Sequence, residues 1–278
     1  MWNFLKEGSG RKQFNPLPKK NNMENKIEKI ICTDVNQTFG EEVSLWKYIG
    51  QSKAVETLQV ALLQYTNDKS EGKTVKPPSL LISGESGLGS ETLARAFSNS
   101  ICNHFRCLLG EVIWWDAQAF ESFVDEPLDT TFYIKSADRL RPLGQEVVYR
   151  ILKDDVLLMH NRFGGRTEKI AYPRRLIALA ATNKGKLIPS LNSAIDIKIK
   201  LQKYTDEEIY RIVQQRIKFL GWKTESNKIL EIIASKSEGN AGKAIKELLQ
   251  MSYTVMRSEG RDVIKLRHVN KAIELLGV

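Results

Sequence analysis

Ser83-Gly84-Glu85-Ser86-Gly87-Leu88-Gly89-Ser90-Glu91-Thr92 has the glycine frame of a phosphate-binding loop without the charges such a loop uses. These loops work because glycines let successive backbone N–H groups converge on the phosphates, a lysine reaches the β and γ oxygens, and a hydroxyl holds Mg²⁺. Gly84, Gly87 and Gly89 keep the frame, but Ser90 stands in the lysine's place and Glu91 in the hydroxyl's. Glu85 and Glu91 also bring carboxylates to a loop built for a polyanion. Two like charges about 4 Å apart at an effective dielectric near 20 repel by about 4 kcal/mol, several hundredfold in affinity. Taken alone, the same glycines also suit a plain strand-to-helix turn.

The flanking segments decide between these readings. Leu80-Leu81-Ile82, after Pro77-Pro78, is an apolar run of strand length, and Thr92-Leu93-Ala94-Arg95-Ala96-Phe97 begins a helix. Strand, glycine loop and helix is the context the phosphate-binding motif requires. Upstream, Val55, Leu58, Ala61 and Leu62 fall at helical spacing and predict an amphipathic helix from about Ser52 to Tyr65. It follows directly on Ile49-Gly50-Gln51.

Ile49-Gly50-Gln51, the Gly87-Leu88-Gly89 turn and Leu93-Ala94 resemble an AAA+ ATPase of the RuvB type, the Holliday-junction branch-migration motor, and the likeness runs from about Leu45 to Val278. It implies an α/β fold: a P-loop NTPase-like AAA+ large domain over 43–201, with a parallel sheet and helices on both faces, then a small all-α lid over 202–278. Residues 1–42 would be a basic, mostly flexible tail. The nucleotide site would be formed by Ile49, Gly50, Gly84, Gly87, Gly89, Ser90, Glu91 and Thr92.

The same resemblance exposes what is missing. Thr131-Phe132-Tyr133-Ile134-Lys135-Ser136-Ala137-Asp138-Arg139-Leu140 aligns with the family's Walker B strand, with Lys135 and Ser136 in place of the two acids. Those acids would hold the Mg²⁺ shell and orient the attacking water. Thr182 or Asn183, at the tip of the Arg174–Ala181 run, keeps the sensor-1 position. Leu191-Asn192-Ser193-Ala194-Ile195 lacks the family's arginine finger. Gly239-Asn240-Ala241-Gly242 lacks its sensor-2 arginine, with Lys243 one position on. Separate parts of one cycle lost together imply a pseudo-ATPase, with no catalytic residue, no metal site and no expected cofactor; weak ATP or ADP binding stays open.

Composition fits an intracellular, cytoplasmic protein. The 278 residues are 42% hydrophobic and 27% charged, with no apolar run near 18 residues, so no membrane span is expected. Met1 to Lys29 has no apolar signal core, and Cys32, Cys102 and Cys107 read as reduced thiols. The segment Cys102–Cys107 reads as the end of the helix after the glycine loop, with Ile101 and Phe105 packed inward, rather than as a metal site. Thr205-Asp206-Glu207-Glu208 is a capping box opening a helix to about Leu220, and three more helices follow in the lid. The family's winged-helix domain has no counterpart after them.

A net charge of +9 attracts nucleic acid without specifying how it is read. The tail contributes seven cations against three acids up to Lys29. A second basic stretch flanks Gly164-Gly165, a hairpin signal between Val156–Phe163 and Thr167–Tyr172. Arg162, Arg166, Lys169, Arg174 and Arg175 against Glu168 make it five minus one, +4. The resulting expectation is a degenerate subunit or scaffold in a DNA recombination, repair or mobile-element complex. Its partners would be other protein subunits, active AAA+ proteins among them, met through the 156–175 hairpin or ring-type interfaces, with DNA on the basic surface. Two alternatives remain: an ATP-dependent motor using Thr92 and Lys243 as stand-ins, and a basic DNA-binding protein independent of nucleotide.

Overall fold

The computed structural model describes residues 44–102, 104–111, 123, 126–160 and 167–278, with backbone alone at 158–160 and 167–168. Its centre is a five-stranded parallel sheet in the order β2-β3-β6-β1-β7. The strands are β1 (Leu80–Ser83), β2 (His104–Leu109), β3 (Thr130–Lys135), β6 (Ile177–Ala181) and β7 (Ile197–Lys200). β1 lies between β6 and β7, with Leu81 opposite Leu179 on one side and Lys198 on the other. The interior strands are buried along nearly their whole length because helices cover both faces.

Alternation along each strand divides these side chains between two cores. Leu81, Phe132, Ile134, Ile177 and Leu179 face Val147, Val148 and Ile151 of helix α3 (Pro142–Asp154). Leu80, Ile82, Tyr133 and Ala178 face the other way, toward α1 (Ser52–Ser70) and α2 (Ser90–Ser98). This second core continues without a break into the helices beyond β7, taking in Ile209, Val213, Ile233, Leu248 and Val269. The C-terminal helices therefore share a core with the sheet.

Those helices are α5 (Asp206–Leu220), α6 (Lys228–Lys236), a π-helical stretch Lys243–Leu249 running into α7 (Gln250–Ser258), and α8 (Leu266–Leu276); a short α4 (Pro189–Ala194) precedes β7. The capping box forms as read: Thr205 Oγ1 accepts the Glu208 N–H at 3.2 Å and Glu208 accepts the Thr205 N–H at 2.9 Å. It fixes the turn immediately after Tyr204, which matters for the site. Besides the helices, a two-residue parallel pair, β8 (Lys223–Thr224) with β9 (Val263–Ile264), links the ends of the bundle.

One expectation is overturned. The chain from His104 to Leu109 is strand β2 and not the end of the preceding helix, which stops at Ser98. Parallel pairing with β3 along all six positions, His104 with Thr130 through Leu109 with Lys135, satisfies this backbone and stacks Phe105 on Tyr133 at 5.8 Å. Continuing the helix would forfeit both. The predicted hairpin pairs as β4 (Val156–His160) with antiparallel β5 (Thr167–Ala171). Its turn, with Arg162 and Arg166, and the basic tail lie outside the described residues. Among the described residues no helix is long and apolar enough to cross a membrane.

Candidate nucleotide site

The glycine loop joins β1 to α2 at the carboxyl edge of the sheet, where ligands of open α/β sheets bind. Gly84 opens it, donating its N–H to Ala181 of β6 at 3.2 Å. Gly89, left-handed at φ 88°, ends it as the N-cap of α2. Ser90, in the lysine's place, lies with its hydroxyl 3.0 Å from that of Tyr133. Tyr133 is fully buried on β3, and burial raises its pKa well above the usual range, so it stays a neutral phenol. A neutral hydroxyl pair replaces the ammonium that phosphates need.

Of the two carboxylates, one is held by a cation of its own helix. Glu91 turns back along its own helix to Arg95, 3.6 Å away, whose guanidinium lies 4.0 Å over the Phe105 ring. Glu85 is exposed. The repulsion expected from the sequence is therefore an upper bound.

Tyr48 and the segment from Tyr204 to Gly242 dock on the loop carbonyls residue by residue. Asn240 Nδ2 donates to the Ser86 carbonyl at 2.8 Å, and the Gly242 N–H donates to that of Gly87 at 2.9 Å. The Tyr204 hydroxyl donates to the Leu88 carbonyl at 3.0 Å. The single Tyr48 proton is shared between the Gly89 carbonyl and the Tyr204 oxygen, each 3.2 Å away. Four consecutive loop carbonyls thus meet protein donors. Burial is the first cause raising the pKa of both Tyr48 and Tyr204, so both remain donors.

Glycine is required on both sides of this contact. A Cβ on Gly87, at φ 89°, would collide with the Asn240 amide, and one on Gly242 would lie 2.7 Å from the Gly87 Cα. A side chain at Gly242 therefore does not fit while this contact is made. Ile49-Gly50-Gln51 secures the same contact from outside: Gln51 exchanges two hydrogen bonds with the Gln202 backbone at 2.6 and 3.0 Å, and Gly50 lies under the Tyr204 ring.

Lys243 and Asn183 are also committed to structure. Lys243 pairs with Glu238 at 2.9 Å, a bond that lowers the Glu238 pKa. Asn183, one of the two residues read as a sensor-1 candidate, accepts the Gly185 N–H at 3.0 Å as the cap of a short turn. Lys135 is exposed at the end of β3, and Ser136 follows in a left-handed conformation at φ 54°. Thr92 and Ile49 line an apolar cavity of about 140 Å³, walled by Tyr48, Tyr204, Phe219 and Ile245. That is below the 300–1,000 Å³ of typical small-molecule sites.

Sequence reasoning missed Tyr48, Tyr133, Tyr204 and the positive role of Asn240. One signal was available: a tyrosine inside a buried strand, such as Tyr133, needs a partner for its hydroxyl.

No protein-family model matches the chain. It is 26% identical over 256 residues to the Holliday junction branch migration complex subunit RuvB of Aliarcobacter butzleri, covering 91% of this chain and 72% of that protein. It is 24% identical over 262 residues to the subunit from Ehrlichia chaffeensis, covering 92% and 77%. Among solved structures, a mutant of Thermotoga maritima RuvB superposes with a TM-score of 0.70 at 22% identity, over 84% of this chain and 73% of that one. The Aeropyrum pernix ORC2 protein gives 0.57 at 17%, over 82% and 69%. The chain has a RuvB-type AAA+ fold.

Proposed function

We propose that this RuvB-type chain is a catalytically degenerate subunit, a scaffold within a DNA recombination or repair complex, that holds its lid closed by protein hydrogen bonds. The observation that carries this reading is the docking of Asn240, Gly242, Tyr204 and Tyr48 on the carbonyls of residues 86–89. In a nucleotide-driven cycle the lid senses the bound phosphates. Here the groups that would sense them touch the loop itself, and Ser90, Lys135 and Gly242 leave no lysine, acid or arginine to restore the cycle.

The DNA context comes from the relatives, named for a Holliday junction branch migration complex. A subunit without turnover contributes to such a complex through its surfaces. The β4–β5 hairpin and the ring-type faces are the surfaces we assign to protein partners, intact AAA+ proteins among them.

Calorimetric titration of the purified chain with ATP and ADP, with and without Mg²⁺, tests the reading. No binding heat up to about millimolar ligand, a Kd weaker than about −4 kcal/mol represents, is expected. Magnesium-dependent binding in the micromolar range would restore the motor reading.

A further inference from the structure

The stretch Lys243–Leu249 is wound as a π-helix where its sequence favours an ordinary one. Lysine, alanine, glutamate and leucine fill most of it, and all are good α-helix formers. Ala241, Ala244, Ile245 and Leu248 fall at the i, i+3, i+4, i+7 spacing of one apolar α-helical face. The chain also enters the stretch as an α-helix, the Ala244 N–H donating to the Asn240 carbonyl four residues back at 3.0 Å. At the other end the Gln250 N–H reaches the carbonyl of Ile245, five residues back. One residue more than an α-helix would hold is stored between these ends.

Local preference does not account for the surplus, whereas docking does. Asn240 and Gly242 lie at the entry to the stretch and hold the carbonyls of Ser86 and Gly87. Winding the same residues as an α-helix back from Leu248 would turn that entry by about 100° and carry it about 1.5 Å along the axis. The contact has no such tolerance: the Gly242 N–H bond is 2.9 Å long, and a Cβ on Gly242 would lie 2.7 Å from the Gly87 Cα. Both docking bonds would break. The core does not forbid the α winding, because Ala241, Ala244 and Leu248 would still share one face.

We propose that Lys243–Leu249 is a two-register device, π-helical while its entry is docked on the glycine loop and α-helical once Asn240 and Gly242 withdraw. In one register the docking bonds sustain the wide turn; in the other the turn relaxes and those bonds are lost. Single π turns inside α-helices are rare and occur frequently at functional positions. A protein partner that binds the α register better shifts the population toward it without any nucleotide. The inference rests on the reading that protein hydrogen bonds, rather than phosphates, hold the lid.

Deleting Lys246, which is exposed in the wide turn, removes the surplus and leaves an α-helix whose entry still meets the loop. Hydrogen–deuterium exchange of residues 238–245, measured on the full chain without nucleotide, tests the device. Exchange is expected to slow severalfold, up to about tenfold, in the deletion variant, because undocking no longer gains a relaxed turn worth about one hydrogen bond. The same-length control Lys246→Ala exchanges as the wild type does. A deletion variant that exchanges as fast as the wild type, or that does not fold, overturns the proposal. A second reading comes from the full-length double variant Asn240→Ala/Gly242→Ala. Its Gln250 amide resonance is expected to move as the N–H passes from the Ile245 carbonyl to that of Lys246, and an unmoved resonance overturns the proposal as well. The pseudo-ATPase reading fails instead on binding heat with ATP, so the two failures are distinguishable.

Discussion

Gly242→Ala tests the docked lid by the sign of its effect on stability. Gly242 has helical angles, φ −63° and ψ −47°, at the start of a helical stretch. With nothing nearby, alanine there would stabilise the chain by up to about 1 kcal/mol. In the docked structure the new Cβ would instead lie 2.7 Å from the Gly87 Cα and 3.4 Å from its oxygen. Carbon atoms prefer about 3.5–4.0 Å, and the obstacle is backbone rather than a side chain that can swing away.

If the lid holds, the overpacking costs about 1–3 kcal/mol. If it lifts, the Gly242–Gly87 and Asn240–Ser86 hydrogen bonds go, at about 0.5–1.5 kcal/mol each. Either route, less the helical gain, leaves a net loss of up to about 2 kcal/mol, or roughly as much as 8 °C in Tm for a domain of this size. Urea and thermal unfolding measure it. A Tm that is unchanged or raised would refute the docked lid. So would simple additivity with Asn240→Ala, because residues sharing one contact couple by about 0.5 kcal/mol or more.

Restoring Ser90→Lys and Glu91→Thr together is expected to leave ATP binding below calorimetric detection. Adding Asn240→Ala, which removes the hold on Ser86, is expected to make it measurable; micromolar binding by the double variant alone would contradict the closed site. Alkaline stability offers a third check. Burial raises the pKa of Tyr133 and Tyr204 above the ordinary 10.0, so above that pH the unfolded chain releases protons that the folded chain retains. Their contribution is complete below about pH 10 and is lost as pH rises, by up to about 1.4 kcal/mol per pH unit for each tyrosine. In urea midpoints measured across this range, Tyr133→Phe is expected to lower the slope by about that amount. An unaltered slope would mean that Tyr133 ionises normally in the folded chain.

Residue types and spacing alone determined the glycine loop and the missing lysine, because both are local and readable at fixed offsets from an apolar run, whereas the missing acids and arginine are read only through the RuvB resemblance. Thr205 to Glu208 announced their cap for the same reason. The segment at His104–Leu109 was misread because a short apolar run suits a helix end or a strand equally, and only β3 alongside it chose. What docks on the glycine loop lay beyond the sequence altogether. Tyr48 and Tyr204 are 156 residues apart, and Asn240 and Ser86 are 154 apart. Gly242, read only as a missing arginine, is there because the Gly87 backbone occupies the space a side chain would need. Sequence spacing encodes which groups are present, whereas packing of the C-terminal helices into the core of the sheet decides which of them meet.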